Sequence, residues 1–227
     1  STDANIAGLS HEAEDLESLE TPATIVVPTM GVWPQDAPDR VETVSLRYAK
    51  GVCVELNGKA LDPLDMLTEA NSVAGRSGIG IANALENRII GTKGRGVYEA
   101  PGMELLGTGL AAIYQAVLDR RASLLFGQLS KLVSDQIYDG RLFDPSTRAA
   151  LAGINLLAEK ASGRIELGLY KGNLFFQQLT DCAASLYNPA DASMEASDGL
   201  DPTSSQGYVE VLSVEAVALA HAGQIKA

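Results

Sequence analysis

The sequence predicts an α+β fold in which antiparallel hairpins pack with a block of helices and an extended C-terminal tail follows. Three patterns predict it. Alternating apolar residues flank short Lys-Gly turns near 41–56 and 164–179, which is the mark of a hairpin. Between them, from about 103 to 162, Leu, Ala and Val recur at helical spacing. Hairpins set apart from a run of helices lack the βαβ alternation of a doubly wound parallel sheet. The expected organisation is one domain over 1–180 and a tail over 181–227, with no internal repeat.

Taken in order, residues 10–20 form an acidic segment able to hold a short helix, and Thr24 to Thr29 read as an extended apolar piece. Pro34 and Pro38 mark an irregular connection. Val41, Val44, Leu46 and Tyr48 then begin a strand that turns at Ala49-Lys50-Gly51 and returns as Val52 to Leu56. Asp62-Pro63 supplies a helix N-cap with proline at the first helical position, where its missing N–H costs nothing, and that helix should run to about Ala74. From Gly75 to Gly102 seven glycines surround Glu86-Asn87-Arg88. Glycines let backbone approach a ligand closely, so this stretch is a candidate site loop. Helices are expected over Met103 to Asp119, Ala122 to Tyr138, and from Asp144-Pro145 to Ser162-Gly163. A second hairpin should pair Arg164 to Tyr170 with Asn173 to Leu179, placing Ile165, Leu167 and Leu169 on one face. The tail should hold a short strand over Tyr208 to Leu212 and a helix over Ser213 to His221.

Composition removes several classes of function. With 17 basic residues against 29 acidic ones the net charge is -12, so there is no basic stripe for a nucleic-acid backbone. No apolar run approaches the length needed to cross a bilayer. Cys53 and Cys182 lie in apolar stretches, as small core hydrophobes do in a reducing cytoplasm, the expected location. His11 and His221 stand at opposite ends, and no Cys/His spacing suits zinc, so no metal site is expected. The chain opens without an initiator methionine, which implies residues upstream.

Few residues point to chemistry directly. The run Gly91-Thr-Lys-Gly-Arg-Gly96 offers backbone N–H groups with Lys93 and Arg95, a nest for a carboxylate or phosphate, although it lacks the Walker spacing. Its plain alternative is a glycine-rich connection with solvated bases. Glu86 lies among Ile79, Ile81, Leu85, Ile89 and Ile90, which read as buried, and a buried carboxylate needs a cation. Arg88 is one partner and a substrate ammonium the other. Tyr98 follows the basic turn; alone, it reads as a core tyrosine with its hydroxyl at the rim.

Several ordered segments together resemble argininosuccinate synthase: Ser-Thr-Asp-Ala-Asn at 1–5, Ser-His-Glu-Ala at 10–13, Val-Glu-Leu-Asn-Gly-Lys at 54–59, Glu-Asn-Arg-Ile-Ile-Gly at 86–91, Arg-Gly-Val-Tyr-Glu-Ala-Pro-Gly at 95–102, Leu-Tyr-Lys-Gly-Asn at 169–173 and Ser-Leu-Tyr-Asn-Pro at 185–189. The resemblance implies a ligase in which the ureido oxygen of citrulline attacks the α-phosphate of ATP and the aspartate amine then displaces AMP. ATP, with Mg2+, would be held mainly by an N-terminal domain whose Ser-Gly-Gly loop this chain lacks. By position, Ser1, Ser10, Glu86 and Tyr98 match citrulline contacts. A homotetramer with tails reaching to neighbours is likewise implied. Two departures stand out: Ser77 where the family usually has histidine, and Gly94 where it usually has serine. Three readings follow: part of an active ligase that is idle alone, a weakened paralogue that binds an amino acid or assembles, and a purely structural oligomerisation module.

Overall fold

A computed structural model describes residues 2–192, 201 and 203–225. The chain divides into two compact units, Ser1–Leu186 and Tyr187–Ala227. The first contains two antiparallel sheets and a layer of helices, so the α+β class holds.

The larger sheet has the strand order β5-β4-β3-β8-β9, formed by β3 (Glu42–Ala49), β4 (Val52–Leu56), β5 (Lys59–Ala60), β8 (Gly163–Tyr170) and β9 (Asn173–Thr180). Both hairpins expected from the alternation are therefore present. They meet side by side through β3 and β8, with Leu46 opposite Ile165 and Val44 opposite Leu167. Such pairing puts Val44, Leu46, Tyr48, Ile165, Leu167 and Leu169 on one buried face.

Two helices cover that face. α1 (Pro63–Gly75) begins at Asp62, whose carboxylate accepts from the backbone N–H of Leu64 and Asp65. α2 (Pro101–Val117) contributes Leu105, Ile113, Tyr114 and Val117 to the same core. α3 (Arg120–Tyr138) packs beside α4 (Pro145–Ala158). Helix formation over these segments follows the apolar spacing, yet α3 has no buried residue, and Leu124, Ile137 and Tyr138 are exposed. Its apolar stripe therefore contributes little to this core.

The second sheet, order β1-β2-β7-β6, is where the structure departs most from expectation. It joins β1 (Thr2–Asn5), β2 (Gly8–Glu12), β6 (Ile81–Asn87) and β7 (Lys93–Glu99). The glycine-dense stretch is thus a β-hairpin rather than a loop, closed at residues 88–92 by Arg88 N–H to the Thr92 carbonyl and Gly91 N–H to that of Arg88. Leu85, Ile89 and Ile90, expected to be buried, are exposed at or near this tip, whereas Ile79 is buried. Residues 10–12 belong to β2, and only Glu14–Glu17 forms a helical turn, of 3-10 type. The 24–29 segment is likewise irregular after a 3-10 turn at Ala23–Ile25.

In the second unit α5 (Pro189–Ala192) is followed by α6 (Ser204–His221). The strand expected over Tyr208 to Leu212 is helix instead. Its β-branched residues favour a strand only where a neighbour takes up the backbone hydrogen bonds, whereas a helix satisfies its own. No described helix is long and apolar enough to cross a membrane. Cys53 and Cys182 are free and half-buried, and burial pushes the Cys53 thiol up to about 11, away from reactivity.

Candidate functional site

Strand alternation in the smaller sheet sorts the candidate residues onto two faces. Ser10 pairs with Tyr98, Tyr98 with Ala82, and Glu86 with Gly94, so Ser10, Tyr98 and Glu86 share one face together with Gly94 and Gly96. Lys93, Arg95, Val97 and Glu99 point to the other. Ser1 lies outside the described residues.

Tyr98 and Glu86 are not directly opposite, yet the phenol donates to Glu86 Oε2 at 2.7 Å. The ring reaches it by lying across Gly96, where an added Cβ would stand only 2.8 Å from the Tyr98 ring edge. Glycine is needed at 96 for close approach. Burial, then the hydrogen bond to Glu86 and the charges of Glu86 and Glu12, push the Tyr98 phenol well above its ordinary value. It stays protonated at neutral pH and acts as a donor.

Of the two partners open to Glu86, Arg88 is not taken up; it turns to Glu12, at 3.3 Å. Among the described residues no cation stands within ion-pair distance of Glu86. Its half-buried carboxylate accepts from one phenol and keeps capacity for further donors. Beside Tyr98 the face opens into a cleft of about 490 Å³ whose lining includes Asp3, Asn5, Ser10 and Tyr98.

Lys93 and Arg95 line a different cleft, of about 650 Å³, with Glu12, Glu17, Leu19 and Arg88. Arg95 donates to the carbonyls of Ser18 and Thr21 and to Asn83 Oδ1, so most of its donors tie the 16–21 segment to the sheet. Lys93 is the more exposed of the two. Ser77 is buried in the turn after α1, where its carbonyl accepts from Gly172 N–H; it does not lie on the face that carries Glu86. Gly94 does.

Behind the site face sits a pair that the sequence did not single out. Glu99, 2% exposed, lies 2.7 Å from His11 Nε2 and accepts from the backbone N–H of Thr29 at 2.9 Å and of Met30 at 2.8 Å. Burial alone would push this carboxyl up. The His11 hydrogen bond and the two backbone donors more than offset that and hold it below its ordinary range. The pair pins β2 to β7 one register position from Ser10 and Tyr98. Asn71 on α1 does similar work, donating to the Ile6 carbonyl and accepting from Gly102 N–H, and so ties the β1–β2 turn to the helices. Both links join residues far apart in sequence, and only the polarity of Asn71 within the apolar pattern of α1 hints at one of them.

Comparison with known proteins places the sequence in a family. Residues 1–219 match the family described as the arginosuccinate synthase C-terminal domain. The chain is 36% identical over 212 residues to the argininosuccinate synthase of Rhodopirellula baltica, which covers 93% of this chain and 52% of that protein. It is 37% identical over 214 residues to that of Pseudoalteromonas atlantica, covering 94% and 52%. With the Lachnoclostridium phytofermentans protein the identity is 33% over 212 residues. The chain thus spans about half the length of these curated relatives, and by the extent of the family match it belongs to the argininosuccinate synthase family, of which it represents the C-terminal domain.

Proposed function

We propose that this chain supplies the citrulline-binding and assembly half of an ATP-dependent ligase of arginine biosynthesis, one that condenses citrulline with aspartate and releases AMP and pyrophosphate. The observation that carries the reading is the half-buried Glu86 carboxylate, held by Tyr98 and without a cation partner among the described residues, on one face with Ser10. A zwitterionic amino acid needs an anion for its ammonium and neutral donors for its polar ends. Glu86 would take the ammonium, with Tyr98 and Ser10 orienting the rest; Ser1 joins them by family position alone.

ATP, its Mg2+ and the bond-making chemistry would belong mainly to a separate ATP-binding domain. Among the described residues no group of three or more His, Cys, Asp or Glu side chains could hold a metal. The chain's contribution is positioning: fixing citrulline converts its encounter with bound ATP into an effectively unimolecular step. Alone it would be idle. A cytoplasmic setting suits the two free thiols. Assembly into a homotetramer would cover α6, which buries no residue and exposes Tyr208, Val211, Leu212 and Val214.

A weakened paralogue is the second reading, favoured by Gly94 standing directly opposite Glu86. One assay separates the two. The chain joined to its ATP-binding domain, given citrulline, aspartate and ATP, should form AMP in a citrulline-dependent manner. Citrulline binding without AMP formation would favour the second reading, and no binding would remove the first and leave the second only its assembly role.

A further inference from the structure

We infer that the cleft at the start of β7 binds a phosphate group, with Lys93 and Arg88 as its ligands and Arg95 as a fixed charge beside them. It is separate from the cleft beside Tyr98, and its ligand does not depend on what that cleft binds. The cleft, of about 650 Å³, exists because β2 pairs with β7 only as far as Glu12 opposite Gly96, while residues 93–95 of β7 run on past that end. The chain leaves β2 through a strained bend. Ala13 stands at φ 72° and ψ -178° and Glu14 at φ 57°, a conformation that costs a residue with a side chain about 1–3 kcal/mol. Beyond that bend come Glu17 and Leu19, which line the cleft together with Leu85, Arg88, Lys93 and Arg95.

Charge in this cleft is unbalanced. Among the described residues no carboxylate stands within ion-pair distance of Lys93. Arg95 gives its donors to Asn83 Oδ1 and to the main-chain carbonyls of Leu16, Ser18 and Thr21, which satisfy its hydrogen bonds and leave its charge in place. Arg88 meets Glu12 through Nη2 at 3.3 Å, and with its side chain 45% exposed it keeps further donors of the guanidinium fork for an incoming anion. Three cations thus share the cleft with Glu12, already engaged by Arg88, and Glu17, in a chain whose net charge is -12. Such a local surplus of positive charge attracts anions. A phosphate, with several acceptor oxygens and close to two charges, can take the ammonium of Lys93 and the fork of Arg88 together. Leu19 and Leu85, both exposed, offer apolar surface to the body of a phosphate ester. Side chains rather than a nest of backbone N–H groups make the site, because Lys93–Glu99 is an extended strand and not a curled loop.

The test is calorimetry on the 227-residue chain with AMP, inorganic pyrophosphate and adenosine as probes. AMP and adenosine differ only in the phosphate, so AMP should bind with a Kd below about 1 mM and adenosine about 10- to 100-fold more weakly, the range expected for charge-assisted hydrogen bonds. Lys93→Gln and Arg88→Gln should each weaken AMP by about the same 10- to 100-fold. Lys93→Arg, which keeps the charge, should retain most of the affinity, and added salt should lower it. Tighter binding of AMP than of pyrophosphate assigns the site to a phosphate ester, and the reverse order assigns it to a free phosphate anion; both bear the inference out. Equal binding of AMP and adenosine, no binding of either AMP or pyrophosphate, or an AMP affinity unchanged in Lys93→Gln overturns it. Lys93 and Arg88 are exposed, and unchanged melting temperatures verify that the variants fold.

Discussion

The Tyr98 hydroxyl meets the Glu86 carboxylate at 2.7 Å even though Tyr98 stands opposite Ala82 and Glu86 opposite Gly94. The contact runs diagonally across the strand pair and exists because the ring can lie flat on Gly96. Position 96 therefore sets where the Tyr98 hydroxyl lies relative to Glu86.

Glu86→Gln keeps the shape of the side chain and its bond to Tyr98 but removes the charge. Citrulline affinity should fall roughly 10- to 100-fold, as expected when a charge-assisted hydrogen bond is lost. The melting temperature should change little, because Glu86 is only half-buried. Calorimetry and thermal denaturation on the same preparation check both, and a drop in stability at unchanged affinity would make Glu86 structural.

Gly96→Ala should act on the site through packing. Its Cβ would stand 2.8 Å from the Tyr98 ring, so the ring must lift and the bond to Glu86 must break or lengthen. Overpacking of this kind costs about 1–3 kcal/mol. Urea denaturation should register that loss, and citrulline affinity should fall with it. Adding Tyr98→Phe to Gly96→Ala should then cost little more affinity than Gly96→Ala alone, since the hydroxyl contact is already gone.

Glu99 predicts a pH dependence of stability. Its folded carboxyl lies below the ordinary value of 4.5, so its contribution is complete above that pH and is lost as the pH falls through the lower folded value. Chemical denaturation at a series of pH values from neutral down into the acid range should show part of the stability vanish, and Glu99→Gln should flatten that dependence. At neutral pH the same substitution should destabilise by about 1–3 kcal/mol, because it disturbs the buried hydrogen bonds that the carboxylate makes with His11, Thr29 and Met30.

Asp62→Ala provides a contrast away from the site. Removing the cap of α1 leaves the N–H groups of Leu64 and Asp65 without their acceptor and should cost about 1 kcal/mol. Citrulline affinity should stay the same. A change there would mean that α1 influences the sheet face, through Asn71 and the Ile6 carbonyl.

Local patterns made much of the architecture legible before any coordinates. Alternation placed both hairpins of the larger sheet, and the Asp-Pro pairs marked the starts of α1 and α4. Family likeness drew attention to Ser10, Glu86 and Tyr98. Each of these signals is written in neighbouring residues or in residue order. What the tertiary structure alone decided is non-local: that the glycine-rich stretch pairs with residues 8–12 as strands, and that Arg88 leaves Glu86 for Glu12. The burial of Glu99 against His11, Thr29 and Met30 belongs there too. Strand register depends on which distant segment supplies the missing hydrogen bonds, and a charge chooses its partner only once that register has brought the candidates together.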